Sequence, residues 1–171
     1  MEVILLNRDY SILSIISPKS AVSKIAVDER KLPKERKYEI LQAYDKKFGN
    51  YQIPRIMRLL KSVEIIHKRK QPWSKTSLFL RDSFTCQYCG IKLSGKELEV
   101  EHVVPRCQGG KTLWENTVAS CRACNQKKAN KTPQQANMKI RKRPYQPSIA
   151  DFLSMKIRSN GHEEILNEIF K

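Results

Sequence analysis

Acidic residues are scarce in this chain: of 171 residues, 17 are Asp or Glu against 33 Lys or Arg, a formal net charge of +16. A balance this basic favours polyanionic partners, because each neutralised phosphate releases counterions. Charge alone would fit a ribosomal or chromatin protein equally well. No apolar run approaches the length of a membrane-spanning helix. The opening Met1-Glu2-Val3-Ile4-Leu5-Leu6 is too short and wrongly flanked for a secretory signal, so a cytoplasmic protein without a membrane is expected. Disulfides rarely persist there. Internal repeats and low-complexity tracts are also missing. What is present is ordinary for a folded soluble protein, 40% apolar and 29% charged residues. The length suits one domain with a real core, or a small core joined to a metal-held module.

Apolar, β-prone stretches at 2–6 and 11–16 flank a turn at Asn7-Arg8-Asp9. Pro18 with Ala21, Val22, Ile25 and Ala26 predicts an amphipathic helix starting near Ser17. A strand is expected from Tyr38 to Leu41, a short helix opened by Ile53-Pro54 and holding Ile56, Leu59 and Leu60, and a strand over 63–66. The basic run His67-Lys68-Arg69-Lys70 reads as a solvated linker or a DNA-backbone contact. Ser77 to Arg81 predicts one or two helical turns, and a short helix is expected beyond Thr132-Pro133. Two terminal helices follow Ser148, one carrying Ile149, Phe152, Leu153 and Ile157 and the other Ile165, Leu166 and Ile169, with Gly161 between them. The expected organisation is an N-terminal α+β region over 1–74, a cysteine-bearing domain over 75–138, and a basic linker with a helical tail over 139–171.

Five cysteines form two close pairs and one spare thiol, Cys107. Cys86-Gln-Tyr-Cys89-Gly90 and Cys121-Arg-Ala-Cys124 are CxxC pairs separated by 31 residues. Each such turn sets two sulfurs on one side of a knuckle, and two pairs complete the closed four-thiolate site that structural zinc prefers. Gly90 supplies the tolerance of positive φ that a tight knuckle needs. A redox role for one pair would leave the other unexplained and lacks a thioredoxin-like setting. A closed zinc site performs no chemistry itself, so any reaction must be sought between the pairs.

That interval reads Leu98-Glu-Val-Glu101-His102-Val-Val-Pro105, then Arg106-Cys-Gln-Gly-Gly110 and Trp114-Glu-Asn116, running into Cys121-Arg-Ala-Cys124-Asn125-Gln-Lys-Lys128. Alternation of Leu98, Val100 and His102 predicts a strand with one inward face, Gly109-Gly110 a loop, and Asn125 the opening of a helix. Trp114 is expected in the core. His67 and His162 carry no expected role.

Glu101-His102-Val-Val-Pro105, the Gly-Gly loop, Asn116 and Cys-x-x-Cys-Asn125-x-x-Lys128 resemble the HNH nucleases. His102 stands 14 residues before Asn116 and Asn116 stands 9 before Asn125, as in that family. The lead-in Leu80-Arg81-Asp82 resembles its four-cysteine branch, and Leu6-Asn7-Arg8-Asp9-Tyr10 and Ile53-Pro54-Arg55 resemble bacterial and phage members. The resemblance implies a ββα-metal module within an α+β fold, braced by zinc on Cys86, Cys89, Cys121 and Cys124. It implies His102 as general base, since a histidine titrates near neutrality, and Asn116 as the residue orienting the imidazole through a side-chain or backbone oxygen. Glu101 and Asn125 would hold magnesium or manganese, ions that favour oxygen ligands. Glu stands at 101 where the family commonly has Asp or His, and Asn at 125 where many members have His.

The implied substrate is DNA, double-stranded, and the implied activity is phosphodiester hydrolysis. Arg81, Arg106, Lys111, Arg122, Lys127, Lys128 and Lys131 are expected around the site, with Lys128 facing a phosphate. Arg141, Lys142 and Arg143 form a second basic patch. Such contacts position a duplex without reading its sequence. A symmetric target would call for a homodimer. The competing expectation is a zinc-containing nucleic-acid-binding protein without catalysis, which would have no need to keep Glu101, His102, Asn116 and Asn125 together.

Overall fold

The structure, a computed structural model, describes residues 1–31, 35–63 and 70–161 together with 163, 164 and 167. It divides into two compact units, one holding residues 1–67 with 163–171, the other residues 68–162. The second unit runs across both boundaries expected at 74/75 and 138/139.

In the first unit, strands β1 (Val3–Leu6), β2 (Ile12–Ile16), β3 (Tyr38–Phe48) and β4 (Tyr51–Leu59) form one sheet in the order β2-β1-β4-β3. β1 pairs antiparallel with β2 and parallel with β4, while β3 and β4 form a hairpin. The crossover includes helix α1 (Pro18–Asp28), whose Ser17 cap accepts a hydrogen bond from the Ser20 amide at 3.2 Å. α1 packs Ala21, Val22 and Ile25 on Val3, Ile53 and Met57 of the sheet. At its end the buried Asp28 carboxylate accepts hydrogen bonds from the Lys37 and Tyr38 amides at 2.7 to 2.9 Å, tying the helix to the start of β3.

The helix expected at Ile53-Pro54 is a strand, β4. Ile53, Ile56 and Met57 are spaced as on a helix, but they fill the interior of a sheet flanked by β1 and β3. Pro54 is tolerated there because β1 pairs only with Ile56 to Arg58, and on the other side it faces Ala43 amid irregular pairing. The strand expected over 63–66 lies outside the described residues except for Val63, which is exposed and clipped by its backbone to the Asn7 side chain through two 3.0 Å hydrogen bonds. His67, Lys68, Arg69, His162 and the second terminal helix, with Ile165, Leu166 and Ile169, also lie outside the described residues.

The second unit carries α2 (Lys75–Arg81), the hairpin β5 (Leu98–His102) and β6 (Thr117–Cys121), α3 (Arg122–Lys128) and α4 (Ile149–Ser159). β5 and β6 pair antiparallel, with Glu101 opposite Val118 and His102 opposite Thr117. Phe79, Leu98 and Ala119 form the core, with Phe84, Leu93 and Val100 packed around them. Burying a side chain such as Leu98 stabilises the unit by about 1.5–3 kcal/mol. α4 packs against α2 and begins with a capping box in which Ser148 and Asp151 satisfy each other's backbone amides. The segment after Thr132-Pro133 is a set of turns rather than the expected helix.

Candidate functional site

Each CxxC pair occupies a different kind of local structure. Cys86 and Cys89 sit in a turn closed by the Gly90 amide donating to the Cys86 carbonyl at 2.9 Å. Gly90 has φ +82°, a left-handed conformation that favours glycine, and the Arg141 guanidinium lies over it, 2.8 Å from where a Cβ would stand. Cys121 caps α3, accepting a hydrogen bond from the Cys124 amide at 3.5 Å. The four sulfurs lie within 4.8 Å of one another, and Cys89 and Cys121 are 3.9 Å apart. A tetrahedral four-thiolate ion with bonds of about 2.3 Å needs sulfurs about 3.8 Å apart, so the cluster fits one metal ion. Burial pushes the Cys86 thiol up, but hydrogen bonding from the backbone of Cys121, Cys89 and Tyr88 outweighs it and leaves the group at about 6. Burial and the neighbouring sulfurs hold Cys124 well above the thiol range. A bound cation relieves that conflict, because it stabilises all the thiolates at once.

The cysteine cluster sits where α3 starts, with Cys121 as the N-cap, and α3 positions the rest. The helix begins at Arg122, so Asn125 lies within it and does not open it. β5 presents Leu98 to the core on one face and Glu101 to α3 on the other, so both faces are covered, and Glu101 is 8% exposed. Lys128 is 0% exposed and donates a hydrogen bond to Glu101 Oε1. It is therefore not the phosphate-facing lysine expected, because its charge is spent on a buried carboxylate. One position along, the Asn125 amide donates to Glu99 Oε2 at 2.6 Å. Nothing in the sequence pattern marks Glu99 as a partner of that helix.

Glu101, His102 and Asn125 line one cleft with Pro105, Arg106, Cys107, Ala129 and Asn130. His102 Nε2 is 2.9 Å from the Thr112 hydroxyl. Burial lowers the pKa of the imidazole first, Arg106 and Lys128 lower it further, and the opposing pull of Glu101 does not restore it. His102 is therefore neutral at neutral pH. Among the described residues its Nδ1 has no hydrogen-bond partner.

Asn116 does not orient that ring through its side chain. Its Oδ1 accepts from the Val104 amide at 2.8 Å and its Nδ2 donates to the Val104 and Lys111 carbonyls at 3.2 and 2.9 Å. Its side chain closes the loop that follows β5, and the side-chain contact to the imidazole comes from Thr112. Gly110 belongs to the same closure: a Cβ there would meet the Val104 carbonyl oxygen at 1.8 Å.

The basic residues divide. Arg81 is buried and holds the Trp114, Thr117 and Tyr145 carbonyls at 2.8 to 3.1 Å as well as both oxygens of Asp82. It is a framework residue, not the DNA contact expected. Asp82 in turn accepts from the Ala119 amide at 2.7 Å, tying α2 to β6. Arg106, Lys111, Arg122, Lys127, Lys131, Arg141, Lys142 and Arg143 are exposed. Trp114 is buried as expected, its indole donating to the Gln71 carbonyl at 2.8 Å.

Residues 86–141 match the family model described as HNH endonuclease. This segment is an HNH endonuclease domain. A stretch of 51 residues is 43% identical to the CRISPR-associated endonuclease Cas9 of Corynebacterium diphtheriae. The match covers 29% of this chain and 5% of that protein, so the shared part is a small fraction of the relative's length. No solved structure gives a significant match. The HNH domain contains every member of the cleft and the whole cysteine cluster. The match also agrees with the α+β architecture of its hairpin and helix, and it assigns the domain to a nuclease type. Among the described residues no helix is long and apolar enough to cross a membrane.

Proposed function

We propose that the chain is a metal-dependent DNA endonuclease that hydrolyses phosphodiester bonds in double-stranded DNA. The observation that carries this reading is the convergence of Glu101, His102 and Asn125, separated by up to 24 sequence positions, on one cleft rimmed by Arg106. Neutral His102, with Nδ1 free and Nε2 held by Thr112, takes the proton from an attacking water. The Glu101 carboxylate and the Asn125 amide oxygen form a hard donor set suited to magnesium or manganese. When bound there, the cation stabilises charge developing on the scissile phosphate and the leaving oxygen. Asn116 keeps the loop closed beside His102. Zinc on Cys86, Cys89, Cys121 and Cys124 braces α3 so that Asn125 meets β5 at the right turn.

Arg106 lies beside the reacting phosphate, and Lys111, Arg122, Lys127, Lys131 and Arg141 to Arg143 supply backbone contacts that hold the duplex without reading it. Supercoiled plasmid incubated with zinc-loaded protein tests the proposal. Nicked or linear product should form with magnesium or manganese and not with EDTA. DNA binding with no cleavage under either metal would replace the proposal with a binding role.

A further inference from the structure

Two polar pairs join β5 to α3, and they run in parallel. Residues two apart on a strand share a face, and residues three apart on a helix do too. Glu99 and Glu101 on β5 thus meet Asn125 and Lys128 on α3, Glu99 with Asn125 at 2.6 Å and Glu101 with Lys128. Glu101 and Asn125 line the cleft, while Glu99 does not.

We propose that Glu99 is a positioning residue for the cation site, its carboxylate fixing the Asn125 amide so that Oδ1 is the atom turned towards the cation. This rests on the reading that Glu101 and Asn125 hold that cation. A carboxylate accepts hydrogen bonds and does not donate them, so the Asn125 atom 2.6 Å from Glu99 must be the NH2 group. An unrestrained asparagine presents either end, and the NH2 end repels a cation. Glu99 removes that choice before the ion arrives, which is how outer partners tune metal ligands elsewhere.

The test is binding of manganese by the full-length, zinc-loaded protein in the absence of DNA, followed by loss of the free-ion EPR signal. Zinc content and tryptophan emission confirm the fold of each variant. Glu99→Leu should weaken manganese binding by about 10–100-fold, the usual cost of losing an outer partner. Glu99→Gln, whose amide oxygen still accepts from Asn125, should bind within a few-fold of wild type. In an Asn125→Ala background, Glu99→Leu should have no further effect, because there is no amide left to orient.

If Glu99→Leu binds manganese as wild type does, the proposal is overturned. It is also overturned if Glu99→Gln is as weak as Glu99→Leu and the loss persists without Asn125, since Glu99 would then act through its charge alone. A wild-type protein that retains zinc but binds no manganese would instead refute the cation reading of the Glu101–Asn125 pair, and the positioning role with it.

Discussion

Lys128 has no exposed surface and donates its hydrogen bond to Glu101, a carboxylate that also opens onto the candidate active-site cleft. The pair couples the stability of the β5–α3 junction to the chemistry beside it. A lysine is almost never fully buried without a partner, so removing the ammonium strands a buried negative charge.

Lys128→Met should therefore destabilise the HNH domain by about 3–5 kcal/mol, the usual cost of breaking a buried pair from one side. Both tryptophans of the chain, Trp73 and Trp114, lie in the unit that holds this domain. Their emission during denaturant unfolding reports the change, and an unchanged midpoint would mean that the pair is not formed.

Arg81→Met is expected to cost a comparable amount, because it unpairs Asp82 and releases three backbone carbonyls. In a folded sample the substitution should leave the salt dependence of DNA binding unchanged. Replacing Arg141, Lys142 and Arg143 together by Gln should reduce the slope of log K against log salt by about 0.9 for each phosphate that is no longer neutralised. Binding titrations across a range of salt concentrations separate the two cases.

Cleavage should rise with pH and level off below the ordinary histidine range, since burial, then Arg106 and Lys128, lower the His102 pKa and the neutral imidazole is the active base. Arg106→Gln removes a cation that disfavours imidazolium, so the pKa should rise and the acidic limb of kcat/KM should move to higher pH. A limb that stays in place, or moves to lower pH, would mean that His102 is not the titrating base.

Removing zinc from zinc-loaded protein with a strong chelator, or replacing Cys121 by Ser, should unfold the HNH domain, because Cys121 both belongs to the four-sulfur cluster that fits an ion and caps α3. A red shift of tryptophan emission reversed by added zinc would confirm it. Retention of native emission would show that the hairpin and helix hold together without the ion.

Much of this site is legible in the sequence, for a physical reason. The cysteines, Glu101, His102 and Asn125 lie in one short stretch, where spacing along the chain nearly sets spacing in the fold. Partners across elements are harder to read. Glu99 looks like a solvent-facing residue of a half-buried strand, and only the placement of α3 turns it into an acceptor for Asn125. Lys128 looks like a surface charge, as most lysines are. Thr112 sits in a loop whose closure depends on Asn116 and Gly110, so its contact with His102 has no periodic signature. In the first unit, apolar residues at Ile53, Ile56 and Met57 suit a helix or a buried strand, and Pro54 points to a break. The pairing of β4 between β1 and β3 decides it, and that pairing is not local.

The central claim is that His102, held in this cleft, is the base of a metal-dependent DNA cleavage. The most direct measurement is the rate of supercoiled plasmid cleavage by wild type and His102→Ala, prepared identically, with matched zinc content and saturating magnesium. The variant should lose about 10²–10⁴-fold in rate, the usual contribution of a positioned base, with DNA binding retained. Equal rates in the two proteins would contradict it.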